Sequence, residues 1–162
     1  MKKRLTFLVL ALVMCLNQIA CGAGKSTVSN KSPAQANEVA NKRAEVMKIS
    51  ISIGNKVVTA TLADSEAARD FVSLLPLTLV LEDYAKTEKI DYLPRKLSTK
   101  GAPAGSDPAV GDIAYYAPWG NLAIYYKDFG YSNGLVILGK IDGDLEAFNA
   151  PGSVKATVEL VK

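Results

Sequence analysis

The sequence predicts a mainly β domain with one or two short helices, its strands closed or nearly closed into an antiparallel barrel or facing each other as a sandwich. Three observations carry that expectation. There are about seven short runs with strand character, a hairpin signal opens the folded part, and one segment alone sustains a helical stripe. Closure into a barrel is attractive because it leaves no sheet edge open to other chains.

The elements are justified in order. Apolar and polar side chains alternate over residues 47–53 and continue over 57–62, on either side of Gly54-Asn55. Period-two alternation around a Gly-Asn pair marks a tight hairpin. Asp64 or Ser65 then caps a helix expected to run to about Leu75, with Ala67, Ala68, Phe71, Leu74 and Leu75 on one stripe and Pro76 stopping it. A strand follows over 77–84, then a connector containing Tyr92, Leu93, Pro94 and Arg95, and a loop rich in Gly, Pro, Ser and Asp over 99–111. Further strands are expected over 112–116, 122–127, 135–141 and 154–161.

Ahead of this domain the composition changes twice. Residues 1–20 have a basic start (Lys2, Lys3, Arg4), an apolar run and a short polar-to-small stretch before Cys21, the three parts of an export signal. A membrane-spanning reading competes, but the apolar run is nearer to about 12 residues than the roughly 20 that cross hydrocarbon. Residues 21–45 are rich in Ser, Asn, Ala, Lys and Gly and poor in large apolar side chains. They read as a flexible tether reaching about 25 to 30 Å. The domain proper is residues 46–162, with no internal repeat and no second linker.

Gln18-Ile19-Ala20-Cys21-Gly22 resembles the lipobox of bacterial lipoproteins, with Gln18 where those proteins usually carry Leu. The resemblance implies that Cys21 is acylated and becomes the new N-terminus, anchoring the protein to a membrane on its extracytoplasmic face. Acyl chains contribute about 0.8 kcal/mol per buried methylene. The alternative is a secreted protein with Cys21 as a free thiol. Cys15, the other cysteine of the chain, leaves with the leader, so Cys21 has no intrachain disulfide partner.

Several chemistries are excluded by composition. The chain has no histidine, which removes imidazole bases, Ser-His-Asp machinery and His-containing zinc sites. Without Lys2, Lys3 and Arg4 the remaining 16 Lys plus Arg balance 16 Asp plus Glu, which speaks against nucleic-acid binding. Gly22-Ala23-Gly24-Lys25-Ser26-Thr27 looks like the end of a phosphate loop, but Ile19 stands where its first Gly is needed. Asp142-Gly143-Asp144 starts like a calcium loop, but Ala147 and Ser153 replace its Gly and Glu, so a turn is expected. Glu82, Asp83 and Asp112 cannot be paired from sequence, and no Ser-x-x-Lys pattern occurs. No cofactor and no metal site are expected.

A set of blocks spread over the domain carries a family resemblance. These are 49–54, the run 71–78 through Leu75-Pro76, Asp83-Tyr84, Glu88-Lys89-Ile90 with Leu93-Pro94, 111–122 with Pro118-Trp119-Gly120-Asn121, and 134–139. Together they resemble the bacterial cyclophilin-like proteins. The resemblance implies a compact antiparallel barrel related to cyclophilin, with shorter loops and fewer helices. It raises prolyl cis/trans isomerase activity, for which a true cyclophilin uses an Arg beside a pocket of Phe, Met, Leu, Trp and His. Here Arg69 lies in the expected helix, Arg95 lies in a connector, and no His exists.

Aromatic side chains concentrate between Tyr115 and Tyr131: Tyr115, Tyr116, Trp119, Tyr125, Tyr126, Phe129 and Tyr131. Along the strands Ile113 and Tyr115 share one face and Ala114 and Tyr116 the other; Leu122 and Ile124 oppose Ala123 and Tyr125. Some of these rings therefore fill the core with their hydroxyls at its rim. Trp119 sits in a turn between Pro118 and Gly120, which places its indole at a barrel mouth or groove edge. The resulting expectation is a noncatalytic binding module for a peptide or small molecule. Trp119, Tyr116 and Tyr125 would hold the ligand, and Asn121 or Arg95 would supply polar contacts. The alternatives are a divergent prolyl isomerase and an interaction domain without a pocket.

Overall fold

A computed structural model describes residues 46–162 of the chain; the expected leader and tether, with Cys21, lie outside that range. The opening hairpin forms as the alternation requires. Strands β1 (Lys48–Ile53) and β2 (Lys56–Leu62) pair antiparallel with Ile53 opposite Lys56, so Gly54 and Asn55 alone make the turn. Gly54 adopts φ 59° there, a left-handed conformation that costs Gly little. Ile49 and Ile51 point into the core, while Ser50 and Ser52 lie on the other face.

Helix α1 (Glu66–Val72) is capped by Ser65, whose Oγ accepts a 3.1 Å bond from the Ala68 N–H. Ala67, Ala68 and Phe71 are buried, as the stripe predicts. The helix ends three residues earlier than expected. At its end the Leu74 N–H bonds the Phe71 carbonyl at 3.0 Å and the Leu75 N–H the Val72 carbonyl at 3.1 Å. These i to i−3 bonds tighten the last turn ahead of Pro76.

The remaining elements are β3 (Leu77–Tyr84), β4 (Glu88–Tyr92), β5 (Gly105–Ser106), β6 (Asp112–Tyr116), β7 (Asn121–Tyr125), β8 (Ser132–Asn133), β9 (Leu135–Ile141) and β10 (Val154–Leu160). Eight of the strands close into an antiparallel barrel in the order β1-β10-β3-β4-β7-β6-β9-β2, while β5 and β8 pair only with each other. Closure decides between the two predicted layouts in favour of the barrel. Among the described residues α1 is the single α-helix.

Two apolar layers follow from strand alternation. Inside the barrel lie Ile49, Ile51, Leu81, Ile113, Tyr115, Leu122, Ile124 and Leu138, joined by Phe71 and Phe148. Tyr115 is fully buried, and its hydroxyl accepts the Leu97 N–H at 3.1 Å. A smaller cluster of Ala114, Ala123, Tyr125 and Leu135 occupies the outer face of β6, β7 and β9, with Ile90 of β4 packed against it.

Strand β4 corrects the sequence reading, which placed a connector there. Its residues, Glu-Lys-Ile-Asp-Tyr, contain three charged side chains, a composition depleted in strands. Tertiary partners override that propensity. Lys89 faces inward opposite Ile124 and is 0 % exposed. Its ammonium donates to Asp83 Oδ2 at 3.0 Å and to the Ala150 and Gly152 carbonyls at 2.7 and 2.6 Å. Asp91 accepts the Val80 N–H at 2.7 Å, beyond the Glu82–Tyr84 stretch of β3 that β4 pairs with.

Candidate functional site

The outer face of β4, β7 and β6 carries a cleft of about 160 Å³. Successive outward positions of β7 supply Asn121, Ala123 and Tyr125; β4 supplies Glu88, β6 Tyr116, and the end of β3 Tyr84. Trp119 of the β6–β7 turn, Phe129 and Ser132 complete the lining. The site is therefore outside the barrel, over the second apolar cluster.

The turn that presents Trp119 is held from both ends. The Gly120 N–H bonds the Tyr116 carbonyl at 2.8 Å, and the Ala117 N–H bonds the Gly134 carbonyl at 3.0 Å. Gly134 in turn donates to the Ala104 carbonyl at 2.7 Å. Gly134 has φ 80°, and a Cβ there would lie 2.8 Å from Pro118 Cδ, so only Gly permits the contact. Trp119 is 46 % exposed. Its ring stands edge to face with Tyr116, centroids 5.4 Å apart at 78°, and with Tyr84 at 5.6 Å and 88°. Such T-shaped pairs are worth about 0.5–1.5 kcal/mol each beyond burial. The indole thus forms a fixed groove edge, as its place in the sequence implies.

Two polar side chains on this aromatic cleft each keep one oxygen without a hydrogen-bond partner. Glu88 is 9 % exposed and Asn121 is 2 % exposed. Among the described residues, the buried side-chain polar atoms with no hydrogen-bond partner are Glu88 Oε2 and Asn121 Oδ1. The Asn121 amide is oriented by its Nδ2, which donates to the Leu122 carbonyl at 3.2 Å. Burial pushes the Glu88 carboxyl above its ordinary value, with the Tyr125 hydroxyl pulling the other way. Burial also pushes the Tyr125 phenol up, and the neighbouring Glu88 carboxylate adds to that. Buried polar groups left unpaired are rare, because each costs about 1–3 kcal/mol of desolvation.

Of the residues selected from sequence, the structure brings Tyr116, Trp119, Asn121 and Tyr125 together on this cleft. Arg95 is not among them. Its guanidinium forks onto Asp70 of α1, Nη1 to Oδ2 at 3.0 Å and Nη2 to Oδ1 at 2.6 Å, and also donates to Ser73 Oγ at 2.8 Å. Asp70 also accepts the Ser98 N–H at 2.7 Å. Arg95, ahead of that N–H, holds the Asp70 carboxyl down at about 2. The planar fork of Arg matches a carboxylate, and here it ties the segment after β4 to the helix.

Sequence reasoning missed Tyr84, Glu88 and Ser132 as lining residues. The signal for Glu88 is its outward register position with Ile90 on β4, which is invisible once that segment is read as a connector. Asp83, Asp112 and Asp142, also considered from sequence, are engaged elsewhere. Asp83 accepts from Lys89 and from the Tyr126 hydroxyl at 2.9 Å, and Asp112 pairs with Lys140 at 3.2 Å. Asp142 accepts from Thr61 Oγ1 at 2.8 Å and Lys48 Nζ at 3.2 Å, consistent with a turn.

A closed eight-stranded antiparallel barrel with one short helix and an outer-face cleft defines a small barrel of the cyclophilin type. The sequence pattern described as the cyclophilin-like family matches residues 51–159, and the chain belongs to that family. Its fold is similar to the solution structure of a hypothetical protein from Archaeoglobus fulgidus, with a TM-score of 0.54 and 16 % identity. That alignment covers 74 % of this chain and 98 % of the archaeal one. No curated protein is significantly similar to the chain.

Proposed function

We propose that the domain is a noncatalytic binding module that takes a peptide segment or small molecule into the outer-face cleft, and that it works outside the cytoplasm, tethered to a membrane through acylated Cys21. The observation that carries the binding role is the pair of buried, unpartnered oxygens, Glu88 Oε2 and Asn121 Oδ1, in a cleft walled by aromatic rings. A pocket of apolar rings with a few convergent polar groups is the usual make-up of a ligand site. The anchoring role rests on the leader and on Cys21 in its lipobox-like setting.

The competing reading is a divergent prolyl isomerase, which needs a donor such as Arg against the prolyl amide. Both described arginines are already paired, Arg95 with Asp70 and Arg69 with Asp64, and neither lines the cleft. That supports binding without turnover.

A fragment screen read by amide chemical shifts of the full-length protein tests the binding role. Shifts confined to Tyr116, Trp119, Asn121, Tyr125 and their neighbours are expected, with no acceleration in a protease-coupled prolyl peptide assay. Catalysis lost on a single cleft substitution would establish the isomerase instead. For the anchor, Cys21→Ser is expected to move the protein from the membrane to the soluble fraction, and unchanged retention would count against it.

A further inference from the structure

The cleft is walled mainly by aromatic rings, and its buried unpartnered polar atoms are both oxygens. Glu88 Oε2 and Asn121 Oδ1 are buried oxygen acceptors without a hydrogen-bond donor, although the Tyr125 hydroxyl lies beside the same Glu88 carboxyl. Tyr116, Trp119 and Tyr125 add aromatic rings, whose π faces attract positive charge within about 6 Å of the centroid. No Lys or Arg lines the cleft, and none of the ion pairs among the described residues includes Glu88. Lys89, the next residue along the strand, points the opposite way into the barrel, where Asp83 and two carbonyls occupy its protons. A buried carboxylate without a cation is the unusual arrangement, since such groups are normally paired.

We propose that the cleft recognises an organic cation carrying N–H donors, a primary ammonium or guanidinium on a short apolar stem. This deepens the binding reading above and rests on it. The complementarity has three parts. The positive charge pairs with Glu88, the N–H groups satisfy both Glu88 Oε2 and Asn121 Oδ1, and the stem lies against the rings around Trp119. A neutral carbonyl ligand supplies no donor for Asn121 Oδ1. A quaternary ammonium brings charge but no N–H, leaving both oxygens unpaired. The space fits a group of this kind, because a cavity of about 150 Å³ already holds a benzene-sized molecule. The same chemistry arrives either as a free alkylamine or as the tip of a Lys or Arg side chain on an exposed peptide.

Titration of the full-length protein with n-butylammonium, n-butylguanidinium, tetramethylammonium, N-acetylpyrrolidine and butyrate, read by amide shifts, tests this. The two N–H cations are expected to bind at the cleft about ten-fold or more tightly than the other three, and Glu88→Gln to abolish most of that preference. Asn121→Ala is the second variant, expected to weaken the N–H cations several-fold while leaving tetramethylammonium unchanged. Thermal melts confirm that each variant is folded. Acetyl-Gly-Lys-Gly-amide separates the sources: binding tighter than butylammonium supports a peptide side chain, and equal or weaker binding supports a free amine. Cleft binding by the neutral or anionic probes at equal or greater affinity overturns the cation assignment and leaves the binding role standing. No cleft shift with any probe or with the wider fragment screen overturns both.

Discussion

Glu88 and Tyr125 are register partners across the β4–β7 pair. This sets a carboxyl and a phenol side by side on the barrel's outer surface, each pushed up in pKa first by burial. A carboxyl whose folded-state pKa is raised contributes stability that is fully present below its ordinary value of 4.5 and is lost as pH rises through the raised value. Glu88→Gln keeps the shape and removes the ionisation. Thermal melts from about pH 4 to pH 7 should therefore show the variant gaining on the parent as pH rises. A gap that stays constant over that range would mean Glu88 is not desolvated.

Asp70 has the opposite sign. Its folded carboxyl sits at about 2 because of Arg95 and the Ser98 N–H, so its contribution is present above 3.8 and lost as pH falls toward 2. Asp70 is partly exposed, which discounts the effect for solvent screening. Asp70→Asn should flatten the acid limb of the stability profile and lower neutral-pH stability by about 1–2 kcal/mol. Urea unfolding at neutral and acid pH checks both, and ligand binding in the cleft should be unchanged.

Lys89→Met tests the interior of β4. The substitution keeps the length of the side chain but leaves Asp83 and the Ala150 and Gly152 carbonyls without their donor. The ammonium is buried but Asp83 is solvent-exposed, so the cost comes chiefly from the part-buried carbonyls left without a donor, about 1–3 kcal/mol. Chemical denaturation should show a loss of that order, whereas a change under about 0.5 kcal/mol would mean water replaces the ammonium freely.

Gly134→Ala tests how Trp119 is positioned. Left-handed φ and the approach of Pro118 both resist a Cβ there, so the turn should shift at a cost of about 1–3 kcal/mol. Because the chain has a single Trp, its emission maximum reports the displacement. Unaltered emission would show that the turn is held elsewhere.

Much of this architecture is legible in the sequence, for identifiable reasons. The Gly54-Asn55 hairpin, the Ser65 cap and the alternation that sends Tyr115 inward and Tyr116 outward are local, and local rules describe them. Trp119 at a groove edge follows from its Pro-Trp-Gly turn. What was hidden depends on register between distant strands. Nothing within residues 88–92 says that Lys89 will find an acceptor set some 60 positions later in the chain, so a buried strand looks like a charged connector. Once β4 is lost, Glu88 is lost as a site residue, and Arg95 becomes the nearest polar group to nominate. Its partner Asp70 is a long-range contact that spacing does not reveal.

Trp119 also reports on the cleft it borders. Titrating the full-length protein with n-butylammonium while following intrinsic fluorescence should give a saturable change in the parent and little or none in Glu88→Gln. An unchanged emission in the parent, with no displacement of any cleft amide under the same conditions, would contradict the assignment of this cleft to an N–H cation.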